Sequence, residues 1–141
     1  MFSVDCSVRV RYAETDQMGF AYHGNYLAWL EMARVELLDA LGVPYRELEA
    51  AGYFLPVVEA NVRYRKPARF DDRLIVRAQI KEPARLRIRL DYSIHRGEEV
   101  ISTAFTQHAF IDREDTLIRP PERFLQAVEA AVAAGGASAS R

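Results

Sequence analysis

The sequence has little of what several protein classes require. Its single cysteine, Cys6, excludes an intramolecular disulfide and indicates a reducing, cytoplasmic setting. No apolar run approaches the roughly 20 residues that span a bilayer, and the first residues lack the basic start and apolar stretch of a signal peptide. A formal net charge of -1 provides no general attraction for nucleic acid. We therefore predict a cytoplasmic protein with no membrane span and no nucleic-acid partner.

Signatures of metal, phosphate and serine chemistry are also missing. His95 and His108 have no acidic residue at metal-ligand spacing, so we predict no metal site. No glycine-rich loop of the kind that cradles phosphates is present. Ser102, Thr103 and Thr106 lack the glycine-flanked turn that presents a serine-type nucleophile. Any chemistry has to come from other groups.

What the sequence does contain is regular hydrophobic alternation. The chain has 141 residues, half of them hydrophobic, which suits one domain; we place it at 1-134, followed by a flexible tail over 135-141. Alternating segments of this kind are typical of antiparallel strands with one buried face. The predicted strands cover about 5–12, 58–65, 74–81, 85–94 and 99–111. Short connections predict that the last three form a meander.

One predicted helix is apolar on nearly all of its faces. Only four charged residues interrupt the stretch from Asn25 to Leu41, and Gly42 predicts its end. A helix of this composition has to be enclosed by other elements. Shorter helices are predicted over about 45–51 and from Pro120-Pro121 to about Ala134. This order predicts an α+β fold, in which a curved antiparallel sheet of about five strands wraps one long central helix, with a C-terminal helix in addition.

The loop between the first strand and this helix carries candidate catalytic residues. Asp16 lies in the loop, and His23 and Gly24 directly precede the helix, where backbone N–H groups have no intrahelical partner. A carboxylate can attack a carbonyl carbon or activate water, and free N–H groups can hold the negative charge that develops on the carbonyl oxygen. We predict Asp16 as base or nucleophile and the N–H groups of His23 and Gly24 as oxyanion donors. The His23 side chain is a second catalytic candidate.

Structural roles are also open to these residues. A loop aspartate is ordinarily a turn residue, and a histidine before a helix is ordinarily solvated. Asn25 suits a helix cap, and Tyr22 suits a pocket wall. Glu31 on the central helix is an alternative acid, although Arg34 three residues later predicts an ion pair with it.

The residues from Tyr12 to Tyr26 follow the pattern Tyr-x-Asp/Glu-Thr-Asp-x-x-Gly-x-x-Tyr-His-x-x-Tyr. This pattern resembles the 4-hydroxybenzoyl-CoA thioesterase family of hotdog-fold acyl-CoA thioesterases. It is similar to the bacterial branch of that family associated with the Tol–Pal system. The likeness continues through Asn61 and Tyr64 to the helix that follows Pro120-Pro121, and so covers most of the chain.

The resemblance implies an enzyme that hydrolyses an acyl-CoA thioester to a free acid and coenzyme A, which makes coenzyme A part of the substrate and not a cofactor. It implies that Asp16 is the catalytic carboxylate and that the backbone N–H of His23 binds the thioester oxygen. It also implies a homodimer or homotetramer in which the strand bearing Asn61 borders the partner's site. The expected substrate-binding residues are Met18, Gly19, Tyr22, Asn25 and Asn61.

Arginines are candidates for the phosphates of coenzyme A, because the guanidinium group matches phosphate geometry. Arg85 corresponds to a family position that touches the nucleotide, and Arg87 lies on the same predicted strand face. Arg63, Arg65 and Lys66 form a second basic group. Two alternative functions remain open on the same fold. One is a non-hydrolytic acyl-CoA-binding protein, and the other is a dehydratase of hydroxyacyl thioesters that uses His23 and Glu31.

Overall fold

The computed structural model of the protein describes residues 1–135 and 138–140. A 3-10 turn at Tyr12–Glu14 separates the first strand from the first helix. The helices are α1 (Asn25–Leu41), α2 (Tyr45–Ala50) and α3 (Glu122–Ala133). The strands are β1 (Phe2–Arg9), β2 (Val57–Tyr64), β3 (Arg73–Ile80), β4 (Arg87–Arg96), β5 (Glu99–Ala109) and β6 (Ser138–Ser140).

The strands form one sheet in the order β2-β5-β4-β3-β1-β6. The five long strands pair antiparallel, and β3, β4 and β5 form the predicted meander. The short β6 pairs in parallel with Ser3–Asp5 of β1. The predicted flexible tail over 135-141 falls in part on 136, 137 and 141, which lie outside the described residues, and it stays a prediction.

The sheet curves around α1, as predicted. The apolar residues that α1 turns toward the sheet are fully buried, among them Trp29, Leu30 and Leu37. They form one hydrophobic core with alternate residues of the strands, such as Val76 on β3 and Ile94 on β4, which are also fully buried. The α+β architecture with a central helix is confirmed, and its reason is that the period of 2 in the strands and the period of 3.6 in the helix bring two apolar surfaces together.

Enclosure of α1 is incomplete, which corrects the prediction from its composition. Leu27, Met32 and Val35 are 50%, 47% and 37% exposed on the side of the helix away from the sheet. One sheet covers only one side of a helix, so an all-round apolar helix retains an apolar outer face. Leu27 of this face lines a groove together with Val57 and Ala60 of β2, an edge strand on which every residue except Val62 is exposed.

Several strand boundaries differ from the prediction by one to three residues, and two of them show the reason. β1 ends at Arg9, because the Val10 N–H bonds to the Asp72 carbonyl (3.0 Å) and the chain then turns, so that Tyr12 is 77% exposed instead of buried. β4 begins only at Arg87, and Leu86 is 68% exposed. In both places the alternation of residue types continues beyond the segment that has a neighbouring strand.

A chain of buried polar groups crosses the core behind α1. Arg34 donates hydrogen bonds to the hydroxyls of Tyr45 (3.0 Å) and Tyr92 (3.3 Å), so the predicted Glu31–Arg34 ion pair is wrong. The Tyr92 hydroxyl lies 2.7 Å from Thr106 Oγ1, which lies 2.8 Å from Nε2 of the fully buried His108. A structural role for His108 follows.

Because of His108, we expect stability to fall as the pH is lowered. Burial, together with the charge of Arg34, lowers the pKa of His108 from the usual 6.5 to about 4. Between these values the unfolded chain binds a proton that the folded chain excludes, so the free energy of unfolding decreases by about 2 kcal/mol between pH 7.5 and pH 5. Urea unfolding at both pH values measures this difference. A His108→Gln variant should lose the His108 contribution to the slope, and an equal slope in both proteins would contradict the assignment.

Candidate active site

A tight loop holds the carboxylate of Asp16 in a defined orientation. Asp16 Oδ1 accepts hydrogen bonds from the backbone N–H groups of Met18 (3.0 Å) and Phe20 (3.4 Å). The loop turns at Gly19, whose φ of +84° is a conformation that favours glycine. Among the described residues, no group donates a hydrogen bond to Asp16 Oδ2. The half-buried carboxylate therefore has one oxygen bound by the loop and one available to a ligand.

The start of α1 presents two backbone N–H groups outward. The carbonyl of Tyr22 accepts a hydrogen bond from the Asn25 N–H (3.0 Å), and the carbonyl of His23 accepts one from the Tyr26 N–H (3.2 Å). All peptide bonds of the described chain are trans, so each carbonyl points opposite to the N–H of the next residue. The N–H groups of His23 and Gly24 thus point away from the helix, and neither has an acceptor among the described residues. This is the geometry of an oxyanion site at a helix N-terminus.

Glu14 connects the Asp16 loop to the helix start. Its carbonyl accepts hydrogen bonds from the Tyr22 N–H and from Asn25 Nδ2, both at 2.7 Å. Its carboxylate, only 8% exposed, accepts the Arg11 N–H (2.8 Å) and the Trp29 indole N–H (3.1 Å). Burial alone would raise the pKa of Glu14, but these hydrogen bonds outweigh it and lower the pKa. Glu14 is therefore a buried anion that holds the loop against α1.

Asp16 and His23 line one cavity of about 260 Å³. Met18 is the only other member of the predicted site that lines it. The remaining lining residues were given no role by sequence reasoning or only a weak one; they are Phe20, Ala21, Tyr26, Tyr64, Arg65, Lys66 and Pro67. Asp16 and His23, which lies two residues before α1, therefore face the same space.

Other predicted residues lie around this cavity without lining it. The Tyr22 ring lies 4.4 Å from the ring of His23, centroid to centroid. A Cβ atom on Gly24 would come within 2.8 Å of the Tyr22 ring. Gly24 therefore allows Tyr22 to pack closely against the helix start. Asn25 already uses its side-chain amide to bind Glu14, and Gly19 shapes the loop. Their predicted contacts with substrate stay predictions.

Three predicted residues lie away from Asp16 within one chain. Asn61 lines a cavity of about 470 Å³ on the face of the sheet opposite to α1. Arg85 and Arg87 line one of about 810 Å³ at the connection between β3 and β4. These two cavities share the lining residues Lys81, Arg89 and Asp91, and neither shares a lining residue with the cavity of Asp16.

Tyr64 and the basic pair beside it are the residues that sequence reasoning undervalued. The Tyr64 hydroxyl donates to the His23 carbonyl at 3.2 Å. Lys66 forms an ion pair with Glu99, whereas Arg65 has no side-chain partner among the described residues. In the sequence, Tyr64 followed by Arg65 and Lys66 indicates only that a strand ends in polar residues. The position of these residues beside the start of α1 depends on the curvature of the sheet.

Neither a cluster of metal ligands nor a membrane-spanning helix is present within 1–135 and 138–140. No three histidine, cysteine, aspartate or glutamate side chains converge in a way that would hold a metal ion. No helix in this part of the chain is both long and apolar enough to cross a membrane.

Comparison with known proteins places these features in a family. A profile of the thioesterase-like superfamily matches residues 10–130. YneP of Bacillus subtilis, provisionally named an acyl-CoA thioesterase, is 37% identical over 108 residues, which cover 76% of this chain and 78% of that protein. The acyl-CoA thioester hydrolase YbgC of Escherichia coli O157:H7 is 31% identical over 86% of this chain and 79% of that protein. The DHNA-CoA thioesterase structure from Staphylococcus aureus aligns with a TM-score of 0.85 and 32% identity, over 95% of this chain and 91% of that chain.

Proposed function

This chain belongs to the thioesterase-like superfamily and is an acyl-CoA thioester hydrolase with the hotdog fold, and from that premise we propose that Asp16 and the amides at the start of α1 form its catalytic site. The observation that carries the proposal is their arrangement. Asp16, whose Oδ2 has no donor among the described residues, shares a cavity with His23 at the start of α1, where the N–H groups of His23 and Gly24 have no acceptor among those residues. Thioester hydrolysis needs both an oxygen nucleophile and an oxyanion site.

In the proposed reaction the thioester carbonyl oxygen accepts hydrogen bonds from the N–H groups of His23 and Gly24. Two routes are open to Asp16. As a nucleophile, Oδ2 attacks the carbonyl carbon, the C–S bond breaks, and water then hydrolyses the mixed anhydride. As a base, Asp16 removes a proton from the water that attacks the carbon, and the departing thiolate takes up a proton. Incorporation of labelled solvent oxygen into Asp16 during a single turnover would identify the nucleophilic route.

The His23 ring is the second catalytic candidate in this proposal. It lines the cavity, is exposed, and is flanked by the rings of Tyr22 and Tyr64. It has no acidic hydrogen-bond partner among the described residues that would orient it as a general base. We assign it to contact with the substrate, together with Met18, which lines the same cavity.

Basic residues at the cavity suit an anionic substrate. Arg65 and Lys66 line the same cavity as Asp16, and Arg65 is exposed, with no partner for its guanidinium within 1–135 and 138–140. We propose that they attract the phosphates of coenzyme A. Arg85 and Arg87 stay candidates for the same phosphates if they reach the site from a second chain, since within one chain they line a different cavity.

We further propose that the protein is a homodimer joined along β2. This eight-residue strand ends the sheet and has no neighbour on its outer side among the described residues. Open edges of this length are normally paired, and two identical edges pair antiparallel about a two-fold axis. The half-exposed side chain of Leu27 on α1 lines a groove together with Val57 and Ala60 of this strand. Pairing here brings Asn61 of each chain toward the partner; a sedimentation mass close to 16.1 kDa would contradict it.

The function is tested by the release of free thiol from acyl-CoA esters. We expect hydrolysis of at least one member of a panel of short, long and aromatic acyl-CoAs, and the preferred member identifies the acyl group. Tight binding without thiol release would instead support the non-hydrolytic alternative. Loss of water from a 3-hydroxyacyl-CoA without thiol release would support the dehydratase. The cytoplasmic location inferred from the lone Cys6 stays a prediction.

A further inference from the structure

Tyr64 makes a hydrogen bond that ordinary strand packing does not require. It is the last residue of β2, and its hydroxyl donates to the backbone carbonyl of His23 at 3.2 Å, across 41 positions of sequence. Its ring packs edge-on against the buried ring of Tyr26, with centroids 4.8 Å apart. The ring therefore has a packing role of its own, and the hydroxyl reaches beyond it to the start of α1.

The carbonyl that Tyr64 binds belongs to the peptide group whose N–H is a proposed oxyanion donor. In the trans peptide between His23 and Gly24, the carbonyl and the Gly24 N–H point in opposite directions. The Tyr26 N–H already binds this oxygen at 3.2 Å from within the helix. The Tyr64 hydroxyl on β2 is a second donor to the same oxygen, and it restricts rotation of the peptide group about the line that joins its two Cα atoms. The Tyr26 N–H alone, at the end of a helix, restricts this rotation less.

We infer that Tyr64 is a positioning residue for the oxyanion site, acting through the His23–Gly24 peptide; the inference rests on the proposed thioesterase function. Two hydrogen bonds to the carbonyl hold the Gly24 N–H in one direction before substrate arrives. They also polarise the peptide group, which makes that N–H a stronger donor. Since an oxyanion donor stabilises the transition state only when it is well placed, the Tyr64 hydroxyl contributes to the rate of hydrolysis without touching the reacting atoms.

Kinetic measurements distinguish this positioning role of Tyr64 from substrate binding and from packing. A residue that only lines the cavity changes KM when its hydroxyl is removed. A residue that only packs is satisfied by phenylalanine, which retains the ring contact with Tyr26. A residue that orients the oxyanion donor lowers kcat, because the carbonyl oxygen carries its full negative charge only in the transition state.

The test compares Tyr64→Phe with Tyr53→Phe. Tyr53 is a matched control because its half-buried ring packs edge-on against Phe110 and its hydroxyl has no partner among the described residues. For Tyr64→Phe we expect kcat to fall about fivefold to tenfold, the effect of one lost hydrogen bond, with KM changed by less than about twofold. We also expect the Gly24 amide to shift in the ¹⁵N–¹H spectrum of the protein without substrate. The control should retain kcat and the Gly24 resonance.

Two results overturn the inference. An unchanged kcat with an unchanged Gly24 resonance means that the hydroxyl does not hold the peptide group. A raised KM with an unchanged kcat means that Tyr64 binds substrate. These outcomes differ from a failure of the proposed function, in which the wild-type protein itself releases no thiol from any acyl-CoA. In that case the Gly24 resonance still shows whether Tyr64 holds this peptide group.

Discussion

Replacement of Asp16 by asparagine is expected to lower kcat for acyl-CoA hydrolysis by about a thousandfold or more, the scale on which a principal catalytic group acts. The amide is neutral and can neither attack the carbonyl carbon nor remove a proton from water. Its oxygen still accepts the hydrogen bonds of Met18 and Phe20, so the loop is retained. The measurement is the steady-state rate of thiol release, with the melting temperature determined in parallel.

The matched control is Asp39→Asn. Asp39 is exposed on α1, distant in sequence from the loop, and its side chain has no partner among the described residues. The Asp39→Asn substitution removes one negative charge, as Asp16→Asn does, and should leave kcat near the wild-type value. If folded Asp16→Asn retains near-normal hydrolysis, Asp16 is neither nucleophile nor base, and Glu31 on the central helix becomes the acid to examine.

The second large effect is expected in stability, from Glu14→Ala. The change removes the carboxylate that accepts hydrogen bonds from the Trp29 indole N–H and from the Arg11 backbone N–H. Trp29 is only 1% exposed, so water cannot replace the lost acceptor of its indole. Leaving buried donors unsatisfied and opening a cavity should lower the free energy of unfolding by about 3 kcal/mol. Urea unfolding at neutral pH measures the change. We also expect lower activity, because the released loop carries Asp16.

Glu98→Ala is the control for this variant. Glu98 is an exposed glutamate in the turn between β4 and β5, and its carboxylate has no partner among the described residues. Its removal should change the free energy of unfolding by less than about 0.5 kcal/mol. A Glu14→Ala protein as stable as this control would show that the carboxylate does not hold the loop to α1.

The sequence predicts well those elements whose bounds depend on residues that are close in the chain. The bounds of α1 are those predicted, Asn25 to Leu41, because its apolar composition and Gly42 are local signals. Gly42 has a φ of +81°, and the Val43 N–H closes the helix on the Leu38 carbonyl. Strand ends were predicted less well, because the end of β1 depends on where β3 ceases to pair with it.

The candidate site shows the same division. Asp16, His23 and Gly24 were identified from one continuous stretch, whose pattern specifies a loop acid followed by a helix start. Tyr64 belongs to the segment that carries the resemblance, but local sequence predicts no role for it, because its bond to His23 spans 41 residues. The Glu31–Arg34 ion pair was predicted from helical spacing, yet the core offered Arg34 two tyrosine hydroxyls instead.

By itself the sequence determined the class of fold, the central helix, the acid and the helix start that faces it, because each follows from residue type and short-range spacing. Only the tertiary structure decided which oxygen of Asp16 stays unbound, that Glu14 links loop and helix, and that Tyr64 reaches the His23 carbonyl. These features depend on contacts between segments distant in the chain. Such contacts form only when the sheet curves around α1, and no local pattern of residues specifies them.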